Sequence, residues 1–505
     1  MPAMKKPAYL MGIDNGGTVT KAALYDTSGS EIAVSSRKTE MLFPCPGHAE
    51  KNMDALWLAN VQVIAEVMEK AGVNPREVAG LAVAGHGNGM YPVDADGRPA
   101  HEGINSADSR AQEYVQAWYG DGTFDAIFPS TCQSIWAAQP PALLSWFRDH
   151  DPSTLERTRW ILMCKDYIRY KLTGEAFSEV TDSSGTNLMN VHDQRFDPRL
   201  LAAFGLSEVA GKLPPVRGPA EICGTVGRAA AQATGLREGT PVAGGLFDID
   251  ACAIATGITD PQRLCLVAGS WSINQYISAQ PVRDRDIFMT SVYCMPGFWL
   301  ITEASATSAS NLEWMVSELM PAEAAEARAK GCSIFNQVNG LVAGVAPAGS
   351  DVVFLPFLYA SNEGPGARAA FLGLKGWHGR PHMLRAVYEG VVFSHKTHID
   401  RLLSHRGPAA AARMAGGAAR SEVWVQMFAD VLQLPIELTA CEELGAMGAA
   451  LCAGVAVGIF GSFPEAAAEM VRVSRTVEPQ TATHALYLDK YGQYRKYIEA
   501  LRGGW

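Results

Sequence analysis

Three short stretches carry residue types that together can move a phosphoryl group. The first is Tyr9 to Asp26, YLMGIDNGGTVTKAALYD, where Asp14 stands just before Asn15, Gly16 and Gly17. Glycines let backbone N–H groups approach a phosphate with no Cβ in the way. Thr18 and Lys21 add donors, and Asp14 can hold Mg2+, directly or through water, because hard cations favour carboxylate oxygen. A plain hairpin with Asn-Gly turn chemistry would use the same residues. The second stretch is Gly244 to Ala253, GGLFDIDACA, with Asp248 at or near a helix start. The positive end of a helix keeps a carboxylate ionised. An ionised Asp can accept a hydroxyl proton while that oxygen attacks phosphorus. Asp250 follows two residues on, and both aspartates can equally be helix caps. The third stretch is Met414 to Asp430, MAGGAARSEVWVQMFAD. A flat ligand such as adenine can rest on the Gly416–Gly417 backbone with Ser421 hydrogen-bonding it, although tight helix–strand packing selects the same small residues.

The elements that must hold these residues alternate between strand and helix. The first stretch reads as a β-hairpin with Asn15, Gly16 and Gly17 at its tip, followed by a third strand at Glu31 to Ser35. Arg263 to Ser278, RLCLVAGSWSINQYIS, repeats the strand–turn–strand pattern about half a chain later, with Gly269-Ser270 where Gly17-Thr18 stood. Two such openings predict a duplicated fold. Between them the spacing predicts helices over Met53 to Ala71, Pro140 to His150, Leu155 to Leu172 and Ala229 to Thr234, with another from about Asp250. Val78 to Ala84 and Pro241 to Leu246 read as strands. The second half alternates likewise: strand Asp351 to Leu355, helix His382 to Leu403, strand Ala411 to Ala415, helix Ser421 to Leu432. The expected class is α/β, and the boundary falls near Ala251 to Gly257, giving domains of residues 1–252 and 253–505.

Composition removes several functions. With 42 Lys plus Arg against 52 Asp plus Glu, the net charge of −10 disfavours nucleic acid or an anionic membrane as partner. The ten cysteines form no CxxC pair, which suits free thiols in a reducing compartment. Met1 to Ala8 is short and basic with no apolar signal segment behind it, so a cytoplasmic location is expected. Leu444 to Pro464 has no charge over 21 residues; its glycines favour a packed core helix over a membrane span. His395 and His398 lie at i, i+3 with no third ligand nearby in sequence, so they are expected to be ordinary core or surface histidines.

Taken together, the motifs are similar to those of the FGGY carbohydrate kinases, within the sugar kinase/actin/Hsp70 superfamily. GIDNGGTVTKAALYD resembles that family's first phosphate pattern. VAGSWS resembles the second, with Ser270 where Thr is usual, and AGGAARSEVWVQMFAD followed by ELGAMGAA resembles the adenosine pattern. Ala369 to Glu389, AAFLGLKGWHGRPHMLRAVYE, fits the C-terminal motif. The resemblance implies two actin-like (ribonuclease H-like) domains with a central ATP/sugar cleft. It implies Asp248 as catalytic base and Asp14, with Asp248, as the Mg2+-linked carboxylates. Gly16, Gly17, Thr18, Lys21, Gly269 and Ser270 would serve the phosphates, and Gly416, Gly417 and Ser421 the adenine side.

It also implies where the sugar goes. Gly87 and Asn88, in AGHGNG, fall where the family places sugar-contacting side chains, and Gly87 is expected to leave room there. D-xylulose kinases usually show Met-His at that place and glycerol kinases Arg-Glu, so those two substrates lose weight. Trp136 and Gln139 lie where an aromatic lid is expected, while Asp108 and Arg110 brace a loop or touch sugar. Near Pro140 to Trp146, Leu143 replaces the usual Lys. The cues GGLFD, EASATSASNLEW, FLPFLYASNEG and YEGVVFSHKTHIDR resemble bacterial L-xylulose/3-keto-L-gulonate kinases. The implied reaction is ATP-dependent phosphorylation of a ketose hydroxyl. Another pentulose, a hexulose or a polyol stays open as acceptor, as do a catalytically silent sensor or assembly protein and a homodimeric state.

Overall fold

The computed structural model describes residues 8–347, 349–359, 361, 363–364 and 366–505. The basic segment Met1–Pro7, and Ala360 and Asn362 of the FLPFLYASNEG cue, lie outside the described residues. The chain forms two compact units. One takes residues 1–259, 277–301 and 441–472; the other takes 260–276, 302–440 and 473–505.

The first unit is built on the hairpin. Tyr9–Asn15 and Val19–Asp26 pair antiparallel, Asp14 facing Lys21 and Asn15 facing Thr20. Glu31–Lys38 extends the sheet on one side, three residues longer than the sequence suggests. On the other side Val78–Gly85 runs parallel to Tyr9–Asn15, then Pro241–Ala243 parallel, then Ile222–Thr225 antiparallel. Helix Met53–Ala71 starts where Asn52 accepts the Ala55 N–H and stops at Gly72 in the left-handed region. Its Leu56, Val63, Ile64 and Val67 join Met11, Ile13 and Leu24 in one core.

The Gly/Ala run is a core helix of this same unit. Leu444–Ala456 is buried from Leu444 to Gly454, and no described helix is long and apolar enough to cross a membrane. Its glycines are there for close approach. A Cβ on Gly448 would lie 2.2 Å from the Ala251 carbonyl oxygen, and one on Gly12 would lie 1.7 Å from that of Ala446. No side chain fits at such distances.

The second unit repeats the plan. Arg263–Ala268 and Ser272–Ser278 form an antiparallel hairpin; Ala411–Ala415 and Ile436–Thr439 follow in parallel and Val473–Val477 closes antiparallel. Helices Arg380–Leu403, Glu422–Leu432 and Thr481–Arg502 belong to it.

Two expectations need correction. Leu155–Leu172 is not one helix: Pro152–Arg157 ends, Trp160–Leu162 forms a strand and Cys164–Thr173 starts anew. The Trp-Ile-Leu trio suits a pleated surface, and Tyr91–Val93 claims its backbone by antiparallel pairing. The helix expected from Asp250 begins at Asp248, because the strand before it breaks at Gly244-Gly245 and resumes as Leu246–Phe247 alongside Ala84–Gly85.

Candidate functional site

At the tip of the first hairpin the Gly16 N–H donates to the Val19 carbonyl, which fixes the turn, while Gly17 has open space above it and Thr18 is exposed. Beneath the tip Asn15, Thr20 and Asn60 form a buried hydrogen-bonded set: Thr20 Oγ1 and Asn60 Nδ2 both donate to Asn15 Oδ1, at 3.0 and 2.8 Å. Lys21 is held by Glu443, Nζ to Oε2 at 2.5 Å, at the start of the Gly-rich helix. That helix also presses on Asp14: a Cβ on Gly445 would lie 2.4 Å from the carboxylate. Burial raises Asp14 to about 6; Lys21 lowers it and Glu443 raises it.

Asp248 opens the helix Asp248–Ala255 and keeps part of its surface open, as Asp14 does. The helix start was expected to keep it ionised. Instead burial first, and the Asp14 charge second, raise it to about 8 against the opposing Ile249 N–H. The dipole is worth a fraction of what desolvation costs a carboxylate. Asp250 differs. It is fully buried, its Oδ1 accepts the Cys294 N–H at 3.2 Å, and neither aspartate side chain caps the helix. Asp14 and Asp248 are thus two half-buried carboxylates, and the charge of the first raises the second. That donor set fits Mg2+, which takes one or two carboxylates and fills its shell with water and phosphate oxygens. Among the described residues no group of three or more His, Cys, Asp or Glu could hold a metal by itself.

The sugar-side expectations meet a denser arrangement. Gly87 does not leave a void: the space of its missing side chain is filled by Phe247, whose Cε2 and Cζ would lie 2.4 and 2.5 Å from a Cβ. Asn88 adopts φ 59° and is buried, with Oδ1 free of any protein partner. Trp136 stacks on Phe288 at 5.1 Å. Gln139 is fully buried and occupied. Its Oε1 accepts from the Trp136 N–H and Asn187, and its Nε2 donates to Gln133 and the Gly185 carbonyl. Arg110 braces: it pairs with Asp108 and Glu50 and faces the Trp146 ring.

In the second unit Gly269 has open space and Ser270 is exposed at the hairpin tip. Gly416 and Gly417 are exposed, whereas Ser421 is buried, capping its helix through the Trp424 N–H and donating to Asn339 Oδ1 at 2.7 Å. His395 and His398 are core residues. His395 meets Asn274, Ser272 and Ser308, and His398 meets Glu303 and Ser305. Cys45, Cys132, Cys164, Cys223, Cys294, Cys332, Cys441 and Cys452 carry free thiols.

Sequence reasoning passed over Phe247, Glu443 and a buried charge cluster. Lys165 Nζ lies 2.7 Å from Asp166, 3.4 Å from Glu179 and 3.6 Å from Asp182, whose two oxygens have no hydrogen-bond partner. Burial pushes Asp182 well up. The local signal was the polar run SEVTDSSGTN after a charged helix, in which nothing marks burial.

The comparisons agree with this architecture. Residues 9–255 match the FGGY family of carbohydrate kinases, N-terminal domain, and residues 264–457 its C-terminal domain. The L-xylulose/3-keto-L-gulonate kinase of Escherichia coli K12 is 38% identical over 98% of this chain and 97% of its own length. A probable L-xylulose kinase of Pasteurella multocida is 36% identical over 98% and 99%. The crystal structure of xylulose kinase from Rhodospirillum rubrum superposes with a TM-score of 0.86 at 27% identity, covering 98% of this chain and 99% of that one. The chain belongs to the FGGY family of carbohydrate kinases and is a sugar kinase.

Proposed function

We propose that this kinase transfers the γ-phosphoryl group of ATP to a hydroxyl of L-xylulose or 3-keto-L-gulonate. The observation that carries the chemistry is Asp248. It is a half-buried carboxylate at a helix start, raised to about 8 by burial and by Asp14. Its basicity is far above that of an ordinary carboxylate, which suits a proton acceptor working near neutral pH. The acceptor hydroxyl oxygen forms the new bond to phosphorus, its proton passes to Asp248, and the bond to the β–γ bridging oxygen breaks to release ADP. Mg2+ at Asp14 and Asp248 would screen their mutual repulsion, favour the ionised base and neutralise phosphate charge. In this reading the amides at Gly16, Gly17 and Gly269, with the exposed Thr18 and Ser270 hydroxyls, donate to phosphate oxygens. Lys21 then acts through Glu443 and Asp14 as well as by direct donation, since its ammonium is already paired.

Gly416 and Gly417 offer an exposed backbone for adenine, while Ser421 shapes that surface by fixing the helix start. The functional division we propose is residues 1–252 for acceptor, base and the first phosphate hairpin and 253–505 for the second phosphate hairpin and adenosine, in the cytoplasm where ATP is available. The acceptor identity rests on the 38% and 36% identical relatives. A coupled ADP-release screen over L-xylulose, D-xylulose, L-ribulose, 3-keto-L-gulonate, glycerol and erythritol tests it. The first or the fourth is expected to give the highest kcat/KM, and D-xylulose or glycerol as best substrate would overturn the assignment.

A further inference from the structure

Strand Val78–Gly85 leads straight into His86, Gly87 and Asn88, and its last residues pair with Leu246–Phe247: Ala84 opposite Leu246 and Gly85 opposite Phe247. One piece of sheet therefore fixes the Gly87-Asn88 loop and the residue preceding Asp248 in the same frame. Phe247 is held further by its backbone, whose N–H donates to Thr181 Oγ1 at 2.9 Å, while that hydroxyl donates to Glu179 at 2.7 Å. The ring has glycine on two sides. Besides the approach at Gly87, Cε1 would lie 3.4 Å from a Cβ on Gly185. The Asp182 Oδ1 atom would lie 3.1 Å from the same Cβ position on Gly87. Asp182 is fully buried and neither of its oxygens accepts a hydrogen bond, although Lys165 Nζ lies 3.6 Å from one of them; the Asn88 oxygen accepts none either.

We infer that Phe247 and Gly87 are a complementary size pair that sets the shape of the acceptor pocket beside Asp248, so that Phe247 is a specificity-determining residue. The ring supplies from one strand the bulk that the neighbouring loop lacks. It also lies beside a carboxylate whose oxygens accept no hydrogen bond from the protein. An acceptor isomer that directs a hydroxyl toward the ring meets an apolar wall; with a smaller residue at 247, that hydroxyl gains room and an acceptor oxygen at Asp182. Discrimination of this kind comes from space and from polar groups left unpaired with the wrong isomer. A side chain at 87 and the ring at 247 exclude each other, because a packed interior cannot absorb a 2.4 Å contact.

The inference rests on the ketose-kinase reading, and its test separates the two. Phe247→Ala, Gly87→Ala and the double variant are assayed with L-xylulose, D-xylulose and 3-keto-L-gulonate, alongside the KM for ATP and the thermal midpoint. Phe247→Ala is expected to shift the L-xylulose to D-xylulose ratio of kcat/KM at least tenfold toward D-xylulose, with KM for ATP within about twofold. Gly87→Ala is expected to lose at least tenfold on every acceptor, and Phe247→Ala in that background to restore most of the loss, a coupling that independent sites do not show. Phe247→Leu, which removes the ring and keeps a smaller apolar side chain, is scored in the same way if Phe247→Ala does not fold. Equal losses on all acceptors with an unmoved ratio and additive effects would make the pair merely structural and overturn the inference. If the wild-type protein turns over neither xylulose, the substrate reading fails; the same cycle is then scored on the two best acceptors of the wider screen, where the same outcomes decide the pair.

Discussion

The two hairpins share a scaffold and differ in charge. Each opens its unit with an antiparallel pair, each has two parallel strands beside it and an antiparallel strand beyond. Each keeps a buried polar set beneath the turn: Asn15, Thr20 and Asn60 in one, Ser272, Asn274, His395 and Ser308 in the other. Only the first carries a carboxylate on its hairpin strand. Asp14 faces Lys21 there, whereas the corresponding stretch of the second, Leu266 to Ala268, is apolar. The strand geometry is what duplication preserves; the charge, and the helix that presses upon it, belong to one copy. In the proposed mechanism the difference gives the cation to the first hairpin, whose Asp14 raises the base Asp248, and leaves the second to donate hydrogen bonds.

The strongest way to break that division is Asp248→Asn, which keeps shape and removes the base. A fall in kcat of at least about a hundredfold is expected, with the Kd for nucleotide nearly unchanged; retained turnover would move the base elsewhere. Gly12→Ala attacks the packing peculiar to the first copy. With Ala446 O at 1.7 Å from the added methyl, a loss of about 1–3 kcal/mol in urea unfolding is expected. Asp14→Ala and Ser270→Ala compare the hairpins directly. The first should raise the Mg2+ concentration for half-maximal rate and lower kcat by at least about tenfold. The second removes one neutral hydrogen bond, about 0.5–1.5 kcal/mol, and should leave the Mg2+ titration where it was. Equal Mg2+ responses would erase the distinction.

The smallest effect should be common to both copies. Burial, then Lys51, lowers His86 to about 3; burial, then His398, lowers His395 to about 3. The folded values lie below the unfolded value of about 6.5. Stability is therefore intact above about pH 6.5 and declines as the pH falls toward 3, because the unfolded chain takes up protons that the folded one refuses. At pH 6.5 each histidine costs only about 0.4 kcal/mol, rising by about 1.4 kcal/mol per further unit. Urea midpoints at pH 7.5, 6.5 and 5.5 should follow that curve, and His395→Gln should flatten it.

What was legible in the sequence was local. Gly turns flanked by apolar runs gave both hairpins, and periodicity gave Met53–Ala71 and Pro140–His150 to the residue. What was not legible was set by partners far along the chain. Trp160–Leu162 became a strand because Tyr91–Val93 was there to pair. The pairing of Lys21 with Glu443 joins opposite ends of the chain, and Gly87 looked like room until Phe247 filled it. Composition showed that Leu444–Ala456 packs closely; it could not say that the helix packs on the strand bearing Asp14. The expected charge state of Asp248 failed for a related reason, since a helix start is visible in sequence and burial beside Asp14 is not.

That helix has a consequence for how the molecule comes into being. Strand Tyr9–Asn15 leaves the ribosome more than four hundred residues ahead of the surface that covers it, Leu444–Ala456. At roughly 5–20 residues per second, the wait is on the order of tens of seconds. During that time the bare face of Gly12 and its apolar neighbours is open to wrong partners. A nascent chain halted before Leu444 carries the whole of the first hairpin and both aspartates, and still lacks the last layer of its own first unit.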